Sequence, residues 1–145
     1  MINCMEQKAR DNNVLNNQKK ALKYLEDIPM VSIDDEILFF ETIKDNISDD
    51  TELLYVFRED LEKDYIYRKV TMLSEEDKNN DIKAFELMQE FDNMLMQQVA
   101  NGLLEVPSKD FKKLYVNEQQ FVRINSYVDH FKAKEGKSYT MGSRK

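Results

Sequence analysis

Residues 55–70, YVFREDLEKDYIYRKV, decide how this chain is built. Read as a helix, Leu54, Phe57, Leu61 and Tyr65 step by 3, 4 and 4 and fall on one side. Asp50 or Thr51 would cap it. Read as a hairpin, Leu54 and Val56 alternate only briefly. Ile66, Arg68 and Val70 alternate better against Tyr65, Tyr67 and Lys69. The intervening EDLEKD has no Gly, Asn or Pro, and hairpin loops need a residue that tolerates φ > 0. Glu and Lys also favour helix over strand. The expectation is therefore helix from Thr51 to Leu73, with a β-hairpin over 53–72 as the alternative.

Upstream, Leu15, Leu22, Leu25 and Ile28 lie close to one helical face, and Pro29 ends the run. Ser32 then precedes Asp34, Asp35 and Glu36. A capping hydroxyl followed by acids suits a helix start. Ile33, Ile37, Phe40 and Ile47 continue at helical spacing, with Ile43 nearby. Downstream, residues 74–81 read as a loop or helix start. Ala84, Met88, Phe91, Leu95 and Val99 step by 4, 3, 4 and 4, the strongest helical period in the chain. Asn101-Gly102 is a natural stop, with Leu103 and Leu104 as a further extension. Phe121, Ile124, Val128 and Phe131 form a last stripe, which Phe111 and Leu114 extend upstream as a separate turn. Four or five amphipathic helices around one core, an all-α single domain, is the expected architecture.

The 145 residues suit one domain, with Gly and Pro at only three and two positions. The helical domain is expected over 14–135, between a loose polar segment at 1–13 and a mobile basic tail at 136–145. The first residues lack an apolar signal-peptide core, and no apolar run is long enough to span a bilayer. An intracellular setting, or a virion if the chain is phage-encoded, is expected. The lone Cys4 excludes a disulfide framework within the chain and reads as incidental.

No arrangement of residues announces chemistry. His130 is the single histidine, and its neighbour Asp129 cannot face it on a helix. Glu86 and Glu90 share a helix face, as solvated acids commonly do. Asp77, Asn79 and Asp81 begin like a calcium loop, but Ile82 replaces the glycine and Met88 the closing glutamate. No catalytic residue, cofactor or metal site is assigned. The methionines, Met72, Met88, Met94 and Met96, suit either core filling or a binding groove.

Charge is the uneven property. The net charge is −7, yet residues 31–64 carry twelve acids against three bases, and residues 107–145 carry nine bases against four acids. An acidic body repels nucleic acid. The candidate contact residues are Asp34, Asp35, Glu36, Asp49 and Asp50 in the acidic block, and Lys137, Arg144 and Lys145 in the basic tail. The functional expectation is a non-catalytic interaction or assembly subunit, of the bacteriophage connector kind. Its partners would be other protein chains or copies of itself, with neither nucleic acid nor membrane insertion. The alternative is a small acidic regulator that occupies a basic site on another macromolecule. An ordinary solvated surface would show the same charge split.

Overall fold

Ser32 starts a helix where its position ahead of three acids predicts one: its Oγ accepts the Asp35 N–H at 3.2 Å. The computed structural model describes the backbone of residues 4–50 and 53–143, and the side chains of 11–48 and 54–133. It is mostly helical. The described elements are α1 (Cys4–Tyr24), α2 (Ile33–Asn46), β1 (Ser48–Asp50), β2 (Leu53–Phe57), α3 (Arg58–Thr71), α4 (Glu75–Lys78), α5 (Asp81–Ala100), β3 (Leu104–Glu105), β4 (Lys113–Val116) and α6 (Glu118–Ser143). A 3₁₀ turn, Leu25–Asp27, closes α1 just ahead of Pro29.

The deciding stretch is neither of the two expected forms. Its first part is strand β2 and the remainder is helix α3. The turn chemistry correctly argues against a hairpin, since β2 does not pair with 66–72. It pairs instead with β1 and, at long range, with β4, so that Tyr55 lies opposite Tyr115 and Val56 opposite Leu114. Leu-Leu-Tyr-Val-Phe is a run of strand-favouring residues, and REDLEKD is a helix former. The switch occurs at Phe57, whose side chain makes no cap; the sheet supplies the partner, as the Arg58 N–H donates to the Lys112 carbonyl at 2.8 Å.

Two further segments expected as helix are strand. Leu104 sits in β3 rather than in an extension of α5. Leu114 sits in β4 rather than in a helical turn ahead of α6. The result is a four-stranded antiparallel sheet of order β1-β2-β4-β3. Strand alternation sends Val56, Leu104, Leu114 and Val116 into the core. On the other face, Lys113 Nζ lies 4.1 Å from the ring centroid of Tyr55 and 5.3 Å from that of Tyr115.

The helices cover the inner face of that sheet. Phe39 of α2, Tyr65 of α3 and Phe91 of α5 meet in one aromatic cluster, with ring centroids 5.4 to 6.0 Å apart. Burial pushes the Tyr65 hydroxyl well above the usual phenol range, with the charges of Asp35 and Glu90 adding to it. Helix α6 docks on α2 by setting Phe121 against Phe40, rings tilted by 35° with 5.2 Å between centroids, and by Lys132 on Glu41 at 2.5 Å.

Helix α1 begins before the expected start at Val14, and α6 runs past Gly136, the expected stop, to Ser143. The face of α1 that packs on α5 is not the leucine face. Asn17 and Ala21 are buried, whereas Leu15 and Leu22 are largely exposed. Small Ala21 permits close approach. Asn17 Nδ2 satisfies two loop carbonyls, of Val106 at 2.7 Å and Ser108 at 2.8 Å, which burial would otherwise strand.

Asn101-Gly102 ends α5 as its composition predicts. Gly102 has φ +87°, and a Cβ placed there would meet no heavy atom within 4 Å. Replacing it with alanine therefore costs only backbone strain, about 1–2 kcal/mol. Urea unfolding should show that loss for Gly102→Ala, with the native spectrum unchanged.

Candidate functional site

Among the described residues, most acids of the block form ion pairs within the chain. Asp35 receives Lys69 Nζ at 2.8 Å. Arg68 grips Asp64 with two nitrogens, each at 3.1 Å, and reaches Asp45 at 2.6 Å. Asn46 donates to the same Asp64 carboxylate at 2.8 Å. The Arg68 hydrogen bonds hold the Asp64 carboxyl below its ordinary range. Glu62 and Asp92 lie 3.9 and 2.9 Å from the Arg58 guanidinium. Residues 31–64 are negative in sequence because their counter-charges come from elsewhere, chiefly from the second half of α3.

Of the candidate contact residues, Asp34 is exposed and Asp35 is engaged by Lys69. Glu36 turns into a cleft. The side chains of Asp49, Asp50 and Lys137 lie outside the described residues, as do Arg144 and Lys145 altogether. His130, Glu86 and Glu90 are exposed. Among the described residues, no group of three His, Cys, Asp or Glu side chains could hold a metal ion, and no helix is long and apolar enough to cross a membrane.

Two places combine apolar surface with directed charge. The first lies on α3 and the N-terminal half of α5. The buried stripe of α5 is Leu87, Phe91, Met94, Leu95 and Val99. Ala84 and Met88, expected in that stripe, stand outside it. Ile82, Phe85 and Met88 advance by three residues at a time and so wind toward the core, which the next step reaches at the buried Phe91; they are 71, 70 and 49% exposed. Tyr67, at 68% exposure, joins Met88 and Ile66 along a groove of 530 Å³ edged by Glu59, Glu62 and Lys63. Residues 75–92 around it carry seven acids against Lys78 and Lys83. Isolated exposed apolar residues are ordinary, but a run along one helix face beside a groove marks a contact surface.

The second place is a cleft of 250 Å³ between α2, the C-terminal turn of α5 and α6. Ile33, Phe40, Ile124 and Val128 are among its walls, and Tyr127 stands at its edge. Glu36, Gln98 and Asn101 supply its polar groups. Asn101 Nδ2 donates to Gln98 Oε1 at 2.9 Å, which fixes the amide so that its NH₂ faces Met94 Sδ, 3.6 Å away, and Glu36. Burial pushes the Glu36 carboxyl up from its ordinary value, and the Gln98 hydrogen bond offsets part of that rise.

The raised Glu36 pKa has a defined consequence for stability. Its folded-state value lies above the unfolded one, so the folded form holds the proton longer. Stability from this group is therefore greatest below about pH 4.5 and falls as pH rises through the folded-state value. Glu36→Gln keeps an acceptor for Gln98 and removes the desolvated charge. Its melting temperature should exceed that of the natural chain at pH 7, and the gain should vanish at pH 4. A lower melting temperature at pH 7 would show that the carboxylate is stabilising where it stands.

Scans against protein-family models, curated proteins and solved structures find no match to this chain. The residues to which sequence reasoning gave no site role are Ile82 and Phe85 in the strip, and Gln98 and Ile124 in the cleft. One signal for the strip was present. The first turns of α5 carry apolar residues around too wide an arc, Ile82, Ala84, Phe85, Leu87 and Met88, for all to be buried.

Proposed function

We propose that the protein is a non-catalytic interaction subunit that docks on another protein chain through the Tyr67–Ile82–Phe85–Met88 strip. The carrying observation is the run of exposed apolar side chains beside the α3–α5 groove. Its acidic surroundings define the partner's chemistry. A basic amphipathic segment would lay apolar side chains along the strip, set Lys or Arg against Glu76, Asp77 and Asp81, and compete for Glu75, Glu86 and Glu90, which Lys78, Lys83 and Lys69 approach to 3.2, 3.4 and 4.0 Å. The strip does not fit a copy of its own setting, since an acidic rim repels itself. The binding energy would concentrate in Tyr67 and Phe85, because large aromatics carry most of an interface.

The negative surface offered to a partner centres on Glu76 and Asp77 of α4 and Asp81 at the start of α5, while Asp35, Asp45, Glu62 and Asp64 orient Lys69, Arg68 and Arg58. The full chain, purified together with its partner from the native host, should run as a complex by size-exclusion chromatography with light scattering. Phe85→Asp should fold normally, as the position is exposed, and should abolish the complex. Raising salt should weaken it, because rim charges are screened over about 8–10 Å. An intact complex with Phe85→Asp would remove the strip from the account.

A further inference from the structure

We propose that the cleft between α2 and α6 binds a small organic cation, an ammonium group carried on a short aromatic or alkyl body. The walls supply the apolar part of such a site, and the polar groups converge at one end. Glu36 is the anion. Among the described residues no Lys, Arg or His forms an ion pair with it, whereas Asp35, beside it in the chain, has Lys69. A carboxylate held partly out of water without a counter-charge attracts one. Two features of the fold add to that. The cleft lies at the C-terminal turn of α5, where the helix macrodipole is negative. Tyr127 places an aromatic ring at the edge, stacked on Phe131 at 6.4 Å between centroids, and an aromatic ring attracts a cation. Gln98 is buried and its amide is fixed by Asn101, so the floor needs little ordering when a ligand enters.

The size favours a small molecule over a macromolecular segment. A volume of 250 Å³ sits just below the usual range for ligand pockets, about 300–1,000 Å³. The site is also independent of the docking strip. Gln98 belongs to the last turn of α5 and Ile82 to the first, on a helix of 20 residues, roughly 30 Å long.

The test uses the full chain labelled with ¹⁵N and three probes: phenethylammonium, its neutral counterpart 2-phenylethanol, and N-acetyl-lysine amide. Phenethylammonium should give saturable shifts of the Gln98 and Asn101 side-chain amides. Glu36→Gln should weaken it about tenfold or more, as expected for loss of a charge-assisted contact. Tyr127→Ala, at an exposed position, should weaken it about threefold. The proposal is overturned if the amides show no saturable shift up to about 10 mM probe, a range that reaches weak binding. It is equally overturned if 2-phenylethanol binds as well, or if Glu36→Gln binds as the natural chain does. Tighter binding of N-acetyl-lysine amide would assign the cleft to a partner's basic side chain instead.

Discussion

Phe91→Ala should lower stability by about 3–5 kcal/mol, the usual cost of emptying a large aromatic position in a core. Phe91 has no exposed surface and lies between Phe39 and Tyr65, with ring centroids 5.8 and 6.0 Å away. Removing it opens a cavity where three helices meet, and neighbouring rings cannot collapse into it without leaving their own contacts. A domain of this size has only about 5–15 kcal/mol to lose. The melting temperature should fall by about 10 °C, at roughly 2–4 °C per kcal/mol. Phe85→Ala, the same substitution on the exposed face of the same helix, should stay within about 0.5 kcal/mol. Comparable losses at both positions would show that the strip is core and is not offered to a partner.

Tyr115→Pro should be the second most damaging change, at about 3 kcal/mol or more. Tyr115 lies opposite Tyr55 on one side and Glu105 on the other, so its strand is paired on both edges. Proline cannot donate to the ladder, and it is tolerated only at edges and bulges. Tyr115→Thr keeps the N–H and a strand-favouring side chain, and should retain most of the stability. Guanidinium unfolding of the two variants separates the readings. If 113–116 were a loose turn ahead of α6, proline there would cost no more than threonine.

The contrast between these two positions shows what was legible. Phe91 announces itself, because helical burial is local: Leu95, its partner in the period, stands one turn away. Ser32, Pro29 and Asn101-Gly102 were readable for the same reason, since capping and breaking act within a few residues. Tyr55 and Tyr115 were not. Their pairing joins segments separated by α3, α4 and α5, and strands of two to five residues are too short to establish an alternating pattern. The helical step from Leu54 to Tyr65 was partly accidental. Leu61 and Tyr65 are buried on α3, while Phe57 faces outward at the end of β2. Glycine scarcity also misled, because the loop from β3 to β4, residues 106–112, contains none.

The sites followed the same division. Glu36 stood out as one of three acids at a helix start, but its distinct environment comes from Gln98 and Ile124 on other helices. Asp35 beside it is neutralised by Lys69, again from afar. Net charge over a stretch of sequence therefore says little about the field on a surface when the counter-charges belong to another helix. For the strip, the excess of apolar residues in the first turns of α5 was visible. That Leu87 faces inward while Phe85 faces outward depends on where α3 and the sheet meet α5.

The measurement closest to the central claim is site-specific photo-crosslinking in the native host. A photoreactive phenylalanine analogue replaces Phe85, at the centre of the strip, or Lys109, exposed in the loop beyond the far end of α5. The account predicts one dominant adduct from position 85 and none of comparable yield from position 109. The crosslinked partner peptide should carry several Lys or Arg residues interleaved with apolar ones, and Tyr67→Asp in the same chain should suppress the adduct. Equal adducts from both positions, or a position-85 adduct that survives Tyr67→Asp unchanged, would contradict it.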